Sequence, residues 1–277
     1  MAGVLAPGFE ATLEARDASG GIRIDCDPQL LEAAVFAAVR DTPLERNFQT
    51  AREVCYAVQD GEARDRAFAK LHRDWFARLS LARPVFESLA ERPHISTRTI
   101  RCVIAPAIRR QDECAELYGH STRGPSERPY LVVRLRPESF RSAAHIVSLL
   151  RHELMHIDDM LDPDFGYDPS PSQFHDDEGV PTLIRDRYCV LWDTYIDGRL
   201  FREGHTGENV RARRSAELDR VYPMLGVQAA PVFEALFNAT ALTHGTLLAS
   251  SRNPRRLLDE FLDPLKIGCT APSCSCS

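Results

Sequence analysis

The chain has 277 residues, 44 % of them hydrophobic and 27 % charged, the balance of a globular protein with a substantial core in one large domain or two small ones. No apolar run approaches the ~20 residues of a membrane span, and a net charge of −6 argues against a general nucleic-acid binder. Residues 1–21 carry Pro7, Glu10, Glu14 and Asp17 without a basic start or an apolar core, so no secretory leader is expected and the default compartment is the cytoplasm.

Residues 1–26, with Gly20-Gly21, read as an arm or short hairpin. From 28 to 92 the pattern is helical: Leu30, Leu31, Ala34, Val35 and Ala38 make one apolar face, and stretches 51–58 and 66–79 follow, punctuated at Asp41-Thr42-Pro43, Asp60-Gly61 and Ala82-Arg83-Pro84. His72 beside Trp75 fits a packed or surface histidine better than a ligand. The pattern changes at Pro93. Residues 99–104 and 130–135 alternate and are β-branched, as strands are. Residues 118–125, with His120, read as a loop. Cys26, Cys55, Cys102, Cys114 and Cys189 are scattered singly, which predicts reduced thiols in the core instead of a disulfide framework.

Residues 137–142 turn the chain, with Ser139 or Ser142 available as a helix cap, into Leu149-Leu150-Arg151-His152-Glu153-Leu154-Met155-His156-Ile157-Asp158. Ala143, Val147, Leu150, Leu154, Ile157 and Leu161 recur at helical spacing and predict a buried seam. His152 and His156 fall on another face, continuing a row from His145 and Leu149. Four residues apart on a helix, the two imidazoles can reach one metal ion while Glu153 sits beside them. A zinc ion held by neutral imidazoles lowers the pKa of a bound water to about 7. Glu153, next to the ion instead of on it, would take that water's proton.

Residues 162–171 form a long irregular connection, and from His152 to Ile184 there are nine Asp and Glu residues but no Lys or Arg. Such a loop can attract cationic substrates or hold Ca²⁺, although no EF-hand spacing is present; a solvated acidic loop is the plainer reading. A helix is expected over 181–203, and three more over 208–222, 232–250 and 255–262. Arg211, Arg213 and Arg214 read most simply as a solvated face. The tail with Cys269, Cys274 and Cys276 departs from the rest in composition and reads as a flexible end whose thiols could bind a soft metal or plug a metal site.

The His-Glu-x-x-His segment resembles the active-site helix of the zincin metallopeptidases. The likeness covers that helix and, more weakly, the strand before it and the helix after it, about a third of the chain. It implies an α+β, mainly helical fold: a zincin-like core with a small sheet, an active-site helix and a second ligand-bearing helix, flanked by helical regions. The corresponding divisions are a helical region 1–95, a catalytic core 96–205, a helical region 206–262 and the tail 263–277. In zincins an edge strand pairs with the extended substrate backbone; which of the two predicted strands is the edge stays open.

The resemblance also frames the third ligand. In its gluzincin branch a Glu on the second helix binds zinc, and an acid four residues later hydrogen-bonds a ligand histidine. Carried over by position, Asp193 is the ligand and Asp197 orients one histidine ring, with Asp in place of Glu as in the deuterolysin-like members. Asp162, six residues beyond His156, matches the metzincin and snapalysin spacing, but that branch needs a glycine where Asp159 stands. Met224 could pose as the methionine of that branch, though a lone Met is more often core. Asp193 is preferred over Asp162, and His175 comes third. His205 and His244 are the histidines available to hold an oxyanion.

The resulting expectation is a zinc-dependent hydrolase with one catalytic ion on His152, His156 and Asp193 and Glu153 as base. A peptide or protein is its substrate, with neither nucleic acid nor membrane as partner. The alternatives are a non-catalytic metal-binding or regulatory protein on the same scaffold and an amide hydrolase acting on a non-peptide.

Overall fold

A computed structural model of the chain describes residues 11–13, 22–119, 129–170 and 181–262. They form a mainly helical α+β protein with one mixed sheet, in two compact units that divide between Leu161 and Asp162.

In the first unit β1 (Ala11–Leu13) and β2 (Arg23–Cys26) pair antiparallel; of the two expected forms, arm or short hairpin, this agrees with the second. Five helices follow: α1 (Pro28–Val39), α2 (Glu45–Tyr56), α3 (Gly61–Arg78), α4 (Arg83–Ala90) and α5 (Pro93–Arg98). Their starts are written locally. Asp27 accepts the N–H groups of Gln29 and Leu30, both at 2.9 Å, with Pro28 at the first helical position, and Asp60 accepts that of Ala63 at 2.6 Å. At Pro93 the chain starts α5, a further helix ahead of the strand expected over 99–104. Pro at the first turn needs no N–H partner, and the Asp158 carboxylate takes the N–H groups of His94 (2.9 Å) and Ile95 (3.2 Å).

Strands β3 (Arg101–Pro106), β4 (Cys114–Tyr118) and β5 (Tyr130–Leu135) complete the sheet in the order β1-β2-β3-β5-β4. β2, β3 and β5 run parallel, while β1 and β4 pair antiparallel at the two edges. Neither strand foreseen from the sequence is therefore an edge. Ile24, Cys26, Cys102, Ile104, Leu131, Val133 and Leu135 point to one face and join a core with Leu30, Phe48, Phe76, Leu89, Leu150 and Leu154. On the other face Asp25 is fully buried between Arg23 (3.0 Å) and Arg101 (2.7 Å).

A 3₁₀ turn at Pro137–Arg141 leads into α6 (Ala143–Leu161). Its seam runs through Ile146, Leu150, Leu154, Ile157 and Leu161. Ala143, expected inside, is exposed in the first turn, and Ile146 takes its place. Cys26, Cys55 and Cys102 are free, buried thiols as expected, whereas Cys189 is exposed.

The second unit contains α7 (Pro181–Arg202), α8 (Glu208–Val221), a 3₁₀ segment Pro223–Gln228, α9 (Ala229–Phe237), α10 (His244–Arg252) and α11 (Arg255–Phe261). The single helix expected over 232–250 is two, because the chain opens after Phe237 and restarts where Thr243 caps α10 by accepting the Thr246 N–H at 3.2 Å. Met224 is 53 % exposed, so it is not a core residue. No described helix is long and apolar enough to cross a membrane.

The end of α9 is pressed onto α7 at Gly198. A Cβ there would lie 1.9 Å from the Phe237 carbonyl oxygen, and one turn on Arg202 donates to that oxygen at 2.6 Å and to the Ala239 carbonyl at 2.8 Å. Gly198→Ala must push backbone against backbone and is expected to cost about 1–3 kcal/mol, read as a lower urea midpoint. An unchanged midpoint would show that α9 can move away freely.

Among the described residues each unit buries one histidine. His72 is 4 % exposed among Phe36, Phe48 and Phe68, the packed role foreseen, and His244 is 4 % exposed beside Tyr188, Tyr167 and Phe165. Burial pushes both pKa values below the ordinary histidine value. The folded state then resists a proton that the unfolded chain accepts below about 6.5. Their contribution is complete above about pH 6.5 and is lost as pH falls toward the depressed folded values. Urea midpoints are thus expected to fall between about pH 7.5 and 5.5, before carboxylates titrate; a flat profile would refute this.

Candidate metal centre

Helix α6 is fixed on several sides of its own unit. Ser142, and not Ser139, caps it: its Oγ accepts the His145 N–H at 3.2 Å. Arg151 forks onto Glu91 after α4 at 2.9 and 2.7 Å, and Asp158 holds the start of α5. Ser139 instead donates to Glu113, a buried carboxylate immediately before β4 that also accepts the Arg136 N–H at 3.0 Å and meets His145 Nε2 at 3.4 Å. Burial pushes the Glu113 pKa up, but bonds from Ser139, Arg136 and His145 outweigh it and hold the carboxyl below its ordinary range. Glu113 thus joins the edge strand to the first turn of α6. A lone Glu between two loops gave no sign of this.

On the face so positioned, the half-buried rings of His152 and His156 stand one turn apart, centroids 5.0 Å from each other and planes at 75°. Glu153 Oε2 accepts the N–H of Ala115 at 3.4 Å. Ala115 lies in β4, so the carboxylate sits at what is an edge strand among the described residues. Neighbouring Cys114 is no competing nucleophile: burial first, then Glu116 and Glu153, push its pKa up to about 11. His152, Glu153 and His156 thus all lie within two turns of α6, the two rings against each other and Glu153 bonded to β4.

In the second unit Asp193 and Asp197 lie one turn apart on α7, and one cation holds both. Arg214 Nε donates to Asp197 Oδ2 at 2.6 Å, while its Nη1 donates to Asp193 Oδ2 at 3.0 Å and to Glu217 at 2.6 Å. Arg214 is 8 % exposed, which corrects the expectation of a solvated arginine face; Arg213, at 3.5 Å from Asp197, is the more exposed neighbour. Burial alone would lower the Arg214 pKa, but Asp193 and Asp197 drive it up, so the guanidinium stays charged.

The chain matches no family model, no curated protein and no solved structure. Chemistry has to be read from the residues themselves.

The remaining candidates are placed individually. Asp162 caps a turn, accepting the Asp164 N–H at 2.9 Å, and α6 continues through Asp159 without the break a metzincin-like site requires. His205 is 3.7 Å from Glu203. His244 is buried with Nδ1 2.7 Å from the Tyr188 hydroxyl. His120, His175, much of the acidic connection and the Cys269/Cys274/Cys276 tail lie outside the described residues.

Proposed function

We propose that this chain is a zinc-dependent hydrolase of the zincin type, a metallopeptidase with one catalytic ion held by His152, His156 and Asp193. The observation that carries the reading is the pair of half-buried imidazoles one turn apart on α6, centroids 5.0 Å from each other, with Glu153 on the same turn bonded to the Ala115 N–H of β4. Asp193 as third ligand rests on the gluzincin resemblance, in which the second helix supplies a carboxylate. Two imidazole nitrogens and a carboxylate oxygen make a donor set that suits zinc, and three protein ligands leave a coordination position open. When bound, zinc supplies Lewis acidity that polarises a carbonyl.

The chain's own groups do the rest. Glu153 accepts the proton of an attacking water and returns it to the leaving amine, and the Ala115 N–H keeps the carboxylate at the sheet edge. β4 pairs with β5 on one side, and its outer edge can align an extended peptide by strand addition. Arg214 donates to Asp193 Oδ2 at 3.0 Å and would hold that carboxylate in place. Asp197 would orient one ligand histidine, a role that rests on the gluzincin resemblance.

The test is metal-loaded turnover. The full-length protein is expected to bind about one zinc per chain and to cleave a quenched-fluorescence peptide library in a chelator-sensitive way. Zinc binding without turnover would leave a metal-binding protein, and failure to bind zinc would remove the proposal.

A further inference from the structure

Strand β4, an edge strand among the described residues, offers only alternate residues to a further strand. The Leu135 carbonyl of β5 accepts the Ala107 N–H at 2.9 Å, so Leu135 faces β3 and its neighbour Arg134 turns its N–H and C=O toward β4. With Cys114 opposite Arg134, Glu116 opposite Val132 and Tyr118 opposite Tyr130, these three residues of β4 bond to β5. Ala115 and Leu117 therefore turn their main-chain groups outward, and the Ala115 N–H is the one that Glu153 accepts. A peptide lying antiparallel to β4, the more stable pairing, exchanges two bonds with Leu117. Its residue opposite Ala115 brings a carbonyl to the N–H that Glu153 already holds, so that carbonyl is the one set beside the base. The residue opposite Tyr118 lies three positions nearer the peptide's N-terminus.

Side chains alternate across the strand. Ala115 and Leu117 pack against the core that α6 covers, whereas Tyr118 lies on the other face, part-exposed and stacked on Tyr130 with ring centroids 5.4 Å apart and planes at 15°. Its hydroxyl donates to Glu116 at 2.8 Å, a carboxylate that Arg134 also bonds at 3.1 Å, so the ring is held in place. A strand added outside β4 sets one side chain directly beside that ring, continuing the row from Tyr130 through Tyr118, and an aromatic one there gains a stacking contact beyond its buried area. Resting on the hydrolase reading above, we propose that Tyr118 determines specificity: the substrate is a peptide with an aromatic side chain three residues before the one whose carbonyl is attacked. A site that holds the main chain ahead of the cleaved bond fits an internal cut, not removal of an N-terminal residue.

Blocked Ala/Ser peptides carrying a single Phe at successive positions test this on the full-length protein. With zinc, product masses are expected to place the cut after the third residue beyond the Phe, moving as the Phe moves. Tyr118→Ala is expected to lose that register and about 3- to 10-fold of kcat/KM on the Phe peptides, with no change on the peptide without Phe. Tyr118→Leu, which keeps an apolar neighbour for Tyr130, should do the same at the parent's melting temperature. Binding is read separately, by anisotropy of a fluorescein-labelled Phe peptide on protein without added zinc. It is expected to be about 3- to 10-fold tighter than that of the peptide without Phe, and the difference should vanish in Tyr118→Leu. Binding with this preference but no turnover with zinc would sink the hydrolase reading and leave the selectivity of β4 standing. Cuts unrelated to the Phe, a preference kept in both variants, or no binding would each overturn the proposal.

Discussion

Exchanging Glu153 for Gln is expected to remove about 10²- to 10⁴-fold of peptide turnover while leaving zinc bound. By the usual conversion this is about 3–5 kcal/mol of barrier. Gln has nearly the same shape, and its amide oxygen can still accept the Ala115 N–H, so α6 and β4 should keep their places. What it loses is basicity: a neutral amide cannot take a proton from water and pass it to an amine. The effect should therefore fall on kcat, with zinc content and melting temperature held near those of the parent protein. His152→Ala is the contrasting variant, because it should lose the metal as well as the activity. Comparable kcat/KM for the parent and Glu153→Gln would take Glu153 out of the mechanism.

The parts of this constellation differ in how openly the sequence displays them. His152, Glu153 and His156 are legible because their spacing is set within one helix turn, and the seam of Leu150, Leu154 and Ile157 fixes which way that helix faces. β5 reads directly from Tyr130-Leu131-Val132-Val133, since a strand buried on both faces must be apolar throughout. The edge strand was hidden for the converse reason. Cys114-Ala115-Glu116-Leu117-Tyr118 is partly exposed, lacks β-branched residues and pairs on one side, so neither periodicity nor propensity announces it. Glu113 and Arg214 escaped because a buried charge is recognised by its partners. Those of Glu113 lie 23 to 32 residues along the chain, and those of Arg214 include acids 17 and 21 residues before it. The break between α9 and α10 is hidden because Ala, Leu and Phe before it and Ala and Leu after it continue a helical pattern across it.

Arg214→Met is expected to cost about 3–5 kcal/mol of stability, the usual penalty for removing one partner of a buried charge cluster. The side chain is 9 % exposed and Asp197 3 %, so water does not replace what is lost; Asp193 and Glu217, each 27 % exposed, contribute less than their distances alone suggest. Met keeps most of the volume, so the loss reads the charge and not a cavity. Arg213, at 3.5 Å from Asp197, cannot reproduce a 2.6 Å Nε–H bond from inside the cluster. Urea denaturation measures the loss directly, and Arg214→Lys separates charge from geometry: one ammonium cannot span Asp193, Asp197 and Glu217 together, so Lys should recover only part of the stability. On the proposed reading, with Asp193 as third ligand, loss of the arginine that bonds one of its oxygens should also appear in zinc affinity. A weakening of about 10- to 100-fold is expected for losing a residue that orients a ligand. If Arg214→Met were as stable as the parent, the cluster would be a surface arrangement, and its influence on Asp193 would disappear with it. If stability fell but zinc affinity held, Asp193 would not be a ligand oriented by Arg214.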